Sequence, residues 1–145
     1  MIQGIDHVGI AVRSIEAQLE FYRQTLGLQQ VQIELVNEQR VRVAIIQIGD
    51  SRIELLEPTA DDSPIARFLE RHGEGMHHLA LATEDIDGAI STLVDRGVRM
   101  IDTTPRCGAG GTQIAFIHPK SAGGVLTELC QHGSQTRLEV QTSED

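Results

Sequence analysis

The sequence predicts an α+β protein of two tandem βαβββ modules that together form a curved mixed sheet. Three observations predict it. Apolar residues recur with period two in short runs and near period 3.6 in others, in the order β-α-β-β-β. The segment "HHLALATEDIDGAISTLVDRG" then lines up without a gap on "DHVGIAVRSIEAQLEFYRQTL", placing His78 on His7, Ala80 on Gly9 and Ile86 on Ile15. Lastly, Glu54 follows His7, and Glu128 follows His78, at nearly the same spacing.

Each element has its own signal. In "GIDHVGIAV", residues 4–12, Val8, Ile10 and Val12 form a bulky face suited to packing on a helix. The opposite face carries His7 followed by Gly9 and Ala11, the profile of a strand lining a cavity. A helix capped by Ser14 follows, with Ile15, Leu19, Tyr22 and Leu26 at helical spacing and Gly27 as its stop. Strands are expected at 31–36, 40–48 and "SRIELLE", the last two joined by a tight Gly49-Asp50 turn. Ser63-Pro64 opens a connector helix that Gly73 closes. In the second half, strands are expected at 98–101, 113–117 and 125–130, the first two separated by the glycine-rich "RCGAGGT". The expected layout is a single domain over 1–132, with module one at 4–57, a connector at 58–74 and module two at 75–132. A polar, flexible tail is expected over 133–145.

Composition narrows the functional classes. Of 145 residues, 21 are acidic and 12 basic, a net charge of −9 without a basic cluster, which argues against nucleic acid as a partner. Three Phe, one Tyr and no Trp leave the interior to aliphatic side chains. No apolar run approaches a membrane span, and no signal-peptide pattern opens the chain, so no membrane partner and a cytoplasmic location are expected. Cys107 and Cys130 lack a CxxC spacing and read as reduced thiols.

A duplicated fold would bring His7, Glu54, His78 and Glu128 around one centre. Two imidazole nitrogens and two carboxylates suit a divalent first-row ion, with two positions left for water or a chelating substrate. Each glutamate lies in an aliphatic strand, where a carboxylate is costly unless paired or coordinated. Of the "HH" pair, strand alternation puts His78 on the face of Ala80 and Ala82, leaving His77 a hydrogen-bonding role. His118 and Lys120 in "IHPKSAGG", with Arg106 and the 108–111 glycine loop including Gly110, are candidates for holding an anionic substrate.

Paired βαβββ modules with His and Glu at these places resemble the vicinal-oxygen-chelate, or glyoxalase-like, superfamily. Within it, "ELLEPTADDSPIARFLERHGEGMHH" and "PRCGAGGTQIAFIHPKSAGGVLTELCQ" are similar to the methylmalonyl-CoA epimerase family. The resemblance covers roughly residues 4–132. It implies a sheet curved around a metal site, with a divalent ion, often cobalt, bound by His7, Glu54, His78 and Glu128. Manganese, nickel, zinc and magnesium are the other ions it admits. It implies methylmalonyl-CoA as substrate, a place in propionate metabolism, and a homodimer. Proton transfer at C2 would fall to Glu54 and Glu128. Glyoxalase I, an extradiol-type dioxygenase and a non-catalytic binding protein are alternatives on the same fold.

Overall fold

The computed structural model describes residues 1–133, so the expected tail lies, beyond its first residue, outside the described residues. The chain divides into two compact units, Asp6–Leu79 and a second made of Met1–Ile5 with the chain from Ala80 onward.

In the first unit, β1 (Gly4–Ala11) runs parallel to β4 (Ser51–Pro58), with β3 (Val41–Ile48) and β2 (Val31–Val36) following antiparallel in the order β2–β3–β4–β1. The tight turn between β3 and β4 is the expected one. Ile48 pairs with Ser51, and Gly49 takes the left-handed conformation (φ 55°) that a two-residue hairpin turn requires. Helix α1 (Ile15–Leu19) starts where expected, because the Ser14 hydroxyl accepts the Ala17 N–H at 3.2 Å. It then widens into a π-helical turn, Glu20–Thr25, closed by Leu26 N–H to Phe21 C=O at 2.9 Å. The wider turn changes which face is buried: Ile15 and Leu19 are buried, whereas Leu26, expected on the same stripe, is exposed. Arg42 of β3 reaches both Glu16 (2.6 Å) and Glu57 (3.0 Å), tying α1 to the strands beneath it. Helix α2 (Pro64–His72) has Ser63 as N-cap, Pro64 in its first position and Gly73 at its end, as the sequence predicts. Strand β5 (Gly75–Ala82) follows and passes from the first unit into the second.

The second unit orders its strands β5–β8–β7–β6, with α3 (Ile86–Asp95) packed on Ala115, Ile117 and Leu129. Strands β6 (Arg106–Cys107), β7 (Gln113–Ile117) and β8 (Thr127–Gln131) pair antiparallel. The strand expected at 98–101 is not one: only Met100 bridges to Ile117. The Asp102 carboxylate takes the Phe116 N–H at 2.9 Å, so a side chain occupies a donor that a regular ladder would need. The short β6 instead forms at the start of the glycine-rich stretch. The opening residues of the chain belong here too, with Gln3 N–H bonded to Ala82 C=O at 2.9 Å.

Both interiors are aliphatic, as the scarcity of aromatics requires. In the first unit, Val12, Ile15, Leu19, Ala44, Ile46 and Leu55 form one cluster. Leu55 is fully buried in it. Leu55→Ala is expected to lower unfolding free energy by about 2–5 kcal/mol, seen as a lower urea midpoint. A loss below about 1 kcal/mol would remove Leu55 from the core.

Candidate metal centre

β1 and β5 deliver the two histidines of the repeated motif to the same place. Their Nε2 atoms face each other at 3.1 Å, with the ring planes nearly perpendicular at 85°. Both residues are buried. The other nitrogen of each ring has a partner from the adjacent residue. His7 Nδ1 lies 2.7 Å from Asp6 Oδ2, and His78 Nδ1 lies 2.9 Å from His77 Nδ1. Asp6 is itself buried and accepts from Arg52 of β4 at 2.7 Å. His77 packs edge-on against Phe68 of α2, ring centroids 5.0 Å apart. Burial, and secondarily the His78 ring, pushes His77 down to about 4, so it is neutral at ordinary pH.

An ionised Asp carboxylate can only accept, so His7 Nδ1 is the donor in their hydrogen bond, and in the neutral imidazole the lone pair then lies on Nε2. Two facing imidazole nitrogens need a proton or a cation between them. Nitrogen ligands at about 2.1 Å from a divalent ion and at right angles to each other sit about 3.0 Å apart. The observed separation of 3.1 Å matches that spacing, and the donor set fits a first-row ion.

Glu54 is buried on β4, with its Oε2 3.3 Å from His7 Nδ1, on the ring side that Asp6 also occupies. Its register partner in β1 is Gly9. A β-carbon built on Gly9 would stand 2.2 Å from His78 Cε1, so the imidazole of His78 lies directly over this glycine. The small residues that the sequence places beside His7 are therefore the space the second histidine uses.

Glu128 belongs to the second unit, buried on β8 between Thr127 and Leu129. Its register partner is Phe116 of β7. The Arg106 guanidinium lies 5.7 Å from the Phe116 ring centre, and its Nε is 3.1 Å from an Asp102 oxygen. Gly110 takes φ 70° within the short 3-10 turn Ala109–Gly111. His118 accepts the Lys120 N–H on Nδ1 at 3.0 Å and so caps the turn Pro119–Ser121. Partial burial, then Arg99 and Lys120, holds His118 below the usual imidazole range. Sequence reasoning singled out the two histidines, and the structure brings them together. It missed Asp6 and Arg52, which look like ordinary strand residues. The lining-up of Asp6 with His77 was the available signal.

Comparison with known proteins gives the family. The Glyoxalase/Bleomycin resistance protein/Dioxygenase superfamily matches residues 6–116, and the chain belongs to that superfamily. Its relatives narrow the group. The ethylmalonyl-CoA/methylmalonyl-CoA epimerase of Cereibacter sphaeroides is 39% identical over 133 residues, 90% of this chain and 99% of that one. The mitochondrial methylmalonyl-CoA epimerase of Homo sapiens is 38% identical over 128 residues, 88% of this chain and 73% of its own length. A solved methylmalonyl-CoA epimerase in complex with methylmalonyl-CoA and NH4+ superposes with a TM-score of 0.89 at 41% identity, covering 92% of this chain and 97% of the other. The α+β glyoxalase fold class and the epimerase resemblance are both borne out. Among the described residues, no helix is long and apolar enough to cross a membrane.

Proposed function

We propose that this chain is a methylmalonyl-CoA epimerase, interconverting the (2R) and (2S) thioesters by removing the C2 proton and returning one to the opposite face. The observation that carries the reading is the pair of converging imidazole nitrogens, 3.1 Å apart, in a chain whose epimerase relatives span most of its length.

His7, Glu54, His78 and Glu128 are the proposed ligands of one divalent ion, with cobalt the ion of choice. When bound, such an ion supplies Lewis-acid stabilisation for the negative charge that develops on the thioester oxygen. The burial of Glu54 and Glu128 supports their part, because a buried carboxylate is costly without a compensating cation or hydrogen bonds. The proton chemistry belongs to these two carboxylates. One takes the C2 proton, the C–H electron pair delocalises into the thioester carbonyl, and the opposite carboxylic acid gives a proton to the other face. Arg106, Gly110, His118 and Lys120 are proposed to hold the CoA phosphates or the free carboxylate of the acyl group. The reading extends to propionate metabolism in the cytoplasm and to a homodimer, which sedimentation of the purified protein tests.

Incubating one methylmalonyl-CoA stereoisomer in deuterated water tests the reaction. The other isomer is expected to appear with deuterium at C2, and a chelator is expected to stop it. Metal-replete protein that exchanges no α-hydrogen overturns the proposal. Glu54→Gln and Glu128→Gln should each slow exchange from one stereoisomer by about a hundredfold or more. Near-wild-type exchange in both variants would exclude this pair from proton transfer.

A further inference from the structure

Asp6 and His77 occupy the same position of the repeated motif, each immediately before a motif histidine. Each also meets the Nδ1 of that histidine, at 2.7 Å and 2.9 Å. Adjacent residues on a strand ordinarily point to opposite faces, so two such contacts at equivalent places are not what alternation alone produces. We propose that Asp6 and His77 are paired positioning residues that hold the Nδ1 protons of His7 and His78 and so present both Nε2 lone pairs to the metal.

The inference rests on the metal-centre reading above and says how the chain prepares it. A histidine that donates from one nitrogen is fixed in tautomer and orientation, leaving the other nitrogen as the ligand. On the His7 side the acceptor is a carboxylate whose charge Arg52 balances at 2.7 Å. Glu54 Oε2 also approaches that nitrogen, at 3.3 Å. The shorter contact assigns the proton to Asp6 rather than to Glu54. On the His78 side the acceptor is a second imidazole, braced by Phe68. For the 2.9 Å contact between two Nδ1 atoms to be a hydrogen bond, one of them must carry the proton. If His78 carries it, the lone pair of the neutral ring lies on Nε2, the atom that faces His7. If His77 carries it, His78 must keep its own proton on Nε2 in the neutral state, and the ligand is blocked.

Long-range proton–nitrogen NMR of the metal-free protein distinguishes these states. The expected spectrum has protons on Nδ1 of His7 and His78, a bare Nδ1 on His77, and one further proton shared between the two facing Nε2 atoms, which a metal ion displaces. A proton on His77 Nδ1, or none on His7 Nδ1, overturns the proposal. Asp6→Ala should release the His7 proton assignment while leaving His78 unchanged, and His77→Phe should do the reverse. Asp6→Asn keeps an acceptor oxygen and should retain the His7 tautomer, which guards against a variant that merely misfolds. Glu54→Gln should leave the His7 assignment as it was; a change there hands the role to Glu54. Titration with Co2+ against a competing chelator gives the second readout, with affinity expected to fall about 10- to 100-fold in Asp6→Ala and in His77→Phe. Unchanged Co2+ affinity in both overturns the positioning role. Wild-type protein that binds no divalent ion overturns the metal reading instead, and the tautomers remain readable in that case.

Discussion

His78→Ala is expected to leave a folded protein that no longer retains a divalent ion and turns over methylmalonyl-CoA about a thousandfold more slowly. His78 packs against the rings of His7 and His77 rather than within the aliphatic clusters, so its loss removes little aliphatic packing. What disappears is one of two nitrogens held 3.1 Å apart, the spacing that adjacent ligands of one ion require. Charge stabilisation by a bound cation is worth several kcal/mol at the transition state, and about 4 kcal/mol corresponds to a rate factor of roughly 10³. Metal content of the purified variant and deuterium incorporation at C2 check the two halves of the expectation separately. Full metal occupancy with wild-type turnover would falsify the assignment of His78 as a ligand.

Gly9→Ala should be nearly as damaging, although it removes no polar atom. The added methyl would lie 2.2, 2.5 and 2.7 Å from Cε1, Nδ1 and Nε2 of His78, where ordinary contact needs about 3.5 Å. The ring must therefore move by the order of an ångström, and it is buried with His77 2.9 Å from its Nδ1. Backbone strain plays no part, because Gly9 is not among the glycines with positive φ. Metal affinity is expected to drop by about two orders of magnitude, the scale on which an ångström of misplacement acts at a reacting centre. Gly4→Ala is the control on the same strand: nothing lies within 4 Å of its added carbon, so affinity should be unchanged. Equal Co2+ affinity in the two variants would mean that His78 does not need the space over Gly9.

The repeat made much of this legible. Residues 77–93 and 6–22 share their helix starts, small strand residues and histidines, and the first half's strands at 31–36, 40–48 and 51–57 closely match the observed β2, β3 and β4. Segments where side chains compete with the backbone were not legible. Residues 98–101 carry strand-like residues, but Asp102 diverts the Phe116 N–H and the ladder never forms there. The π-helical turn after α1 likewise has no propensity signal, and it moved Leu26 out to solvent. At the site, period-two alternation distinguished His78 from His77. It said nothing of a side chain bending back to its neighbour's ring, as Asp6 and His77 both do.

The chemical unlikeness of those two neighbours has an evolutionary consequence. A carboxylate at one copy and an imidazole at the other have in common that each can receive a ring proton, so under the proposed positioning role drift at this spot would be filtered by acceptor capacity rather than by size or charge. Searches for duplicated sites of this sort would do better to ask, just ahead of each histidine, for any residue with a lone pair to offer than for a conserved letter.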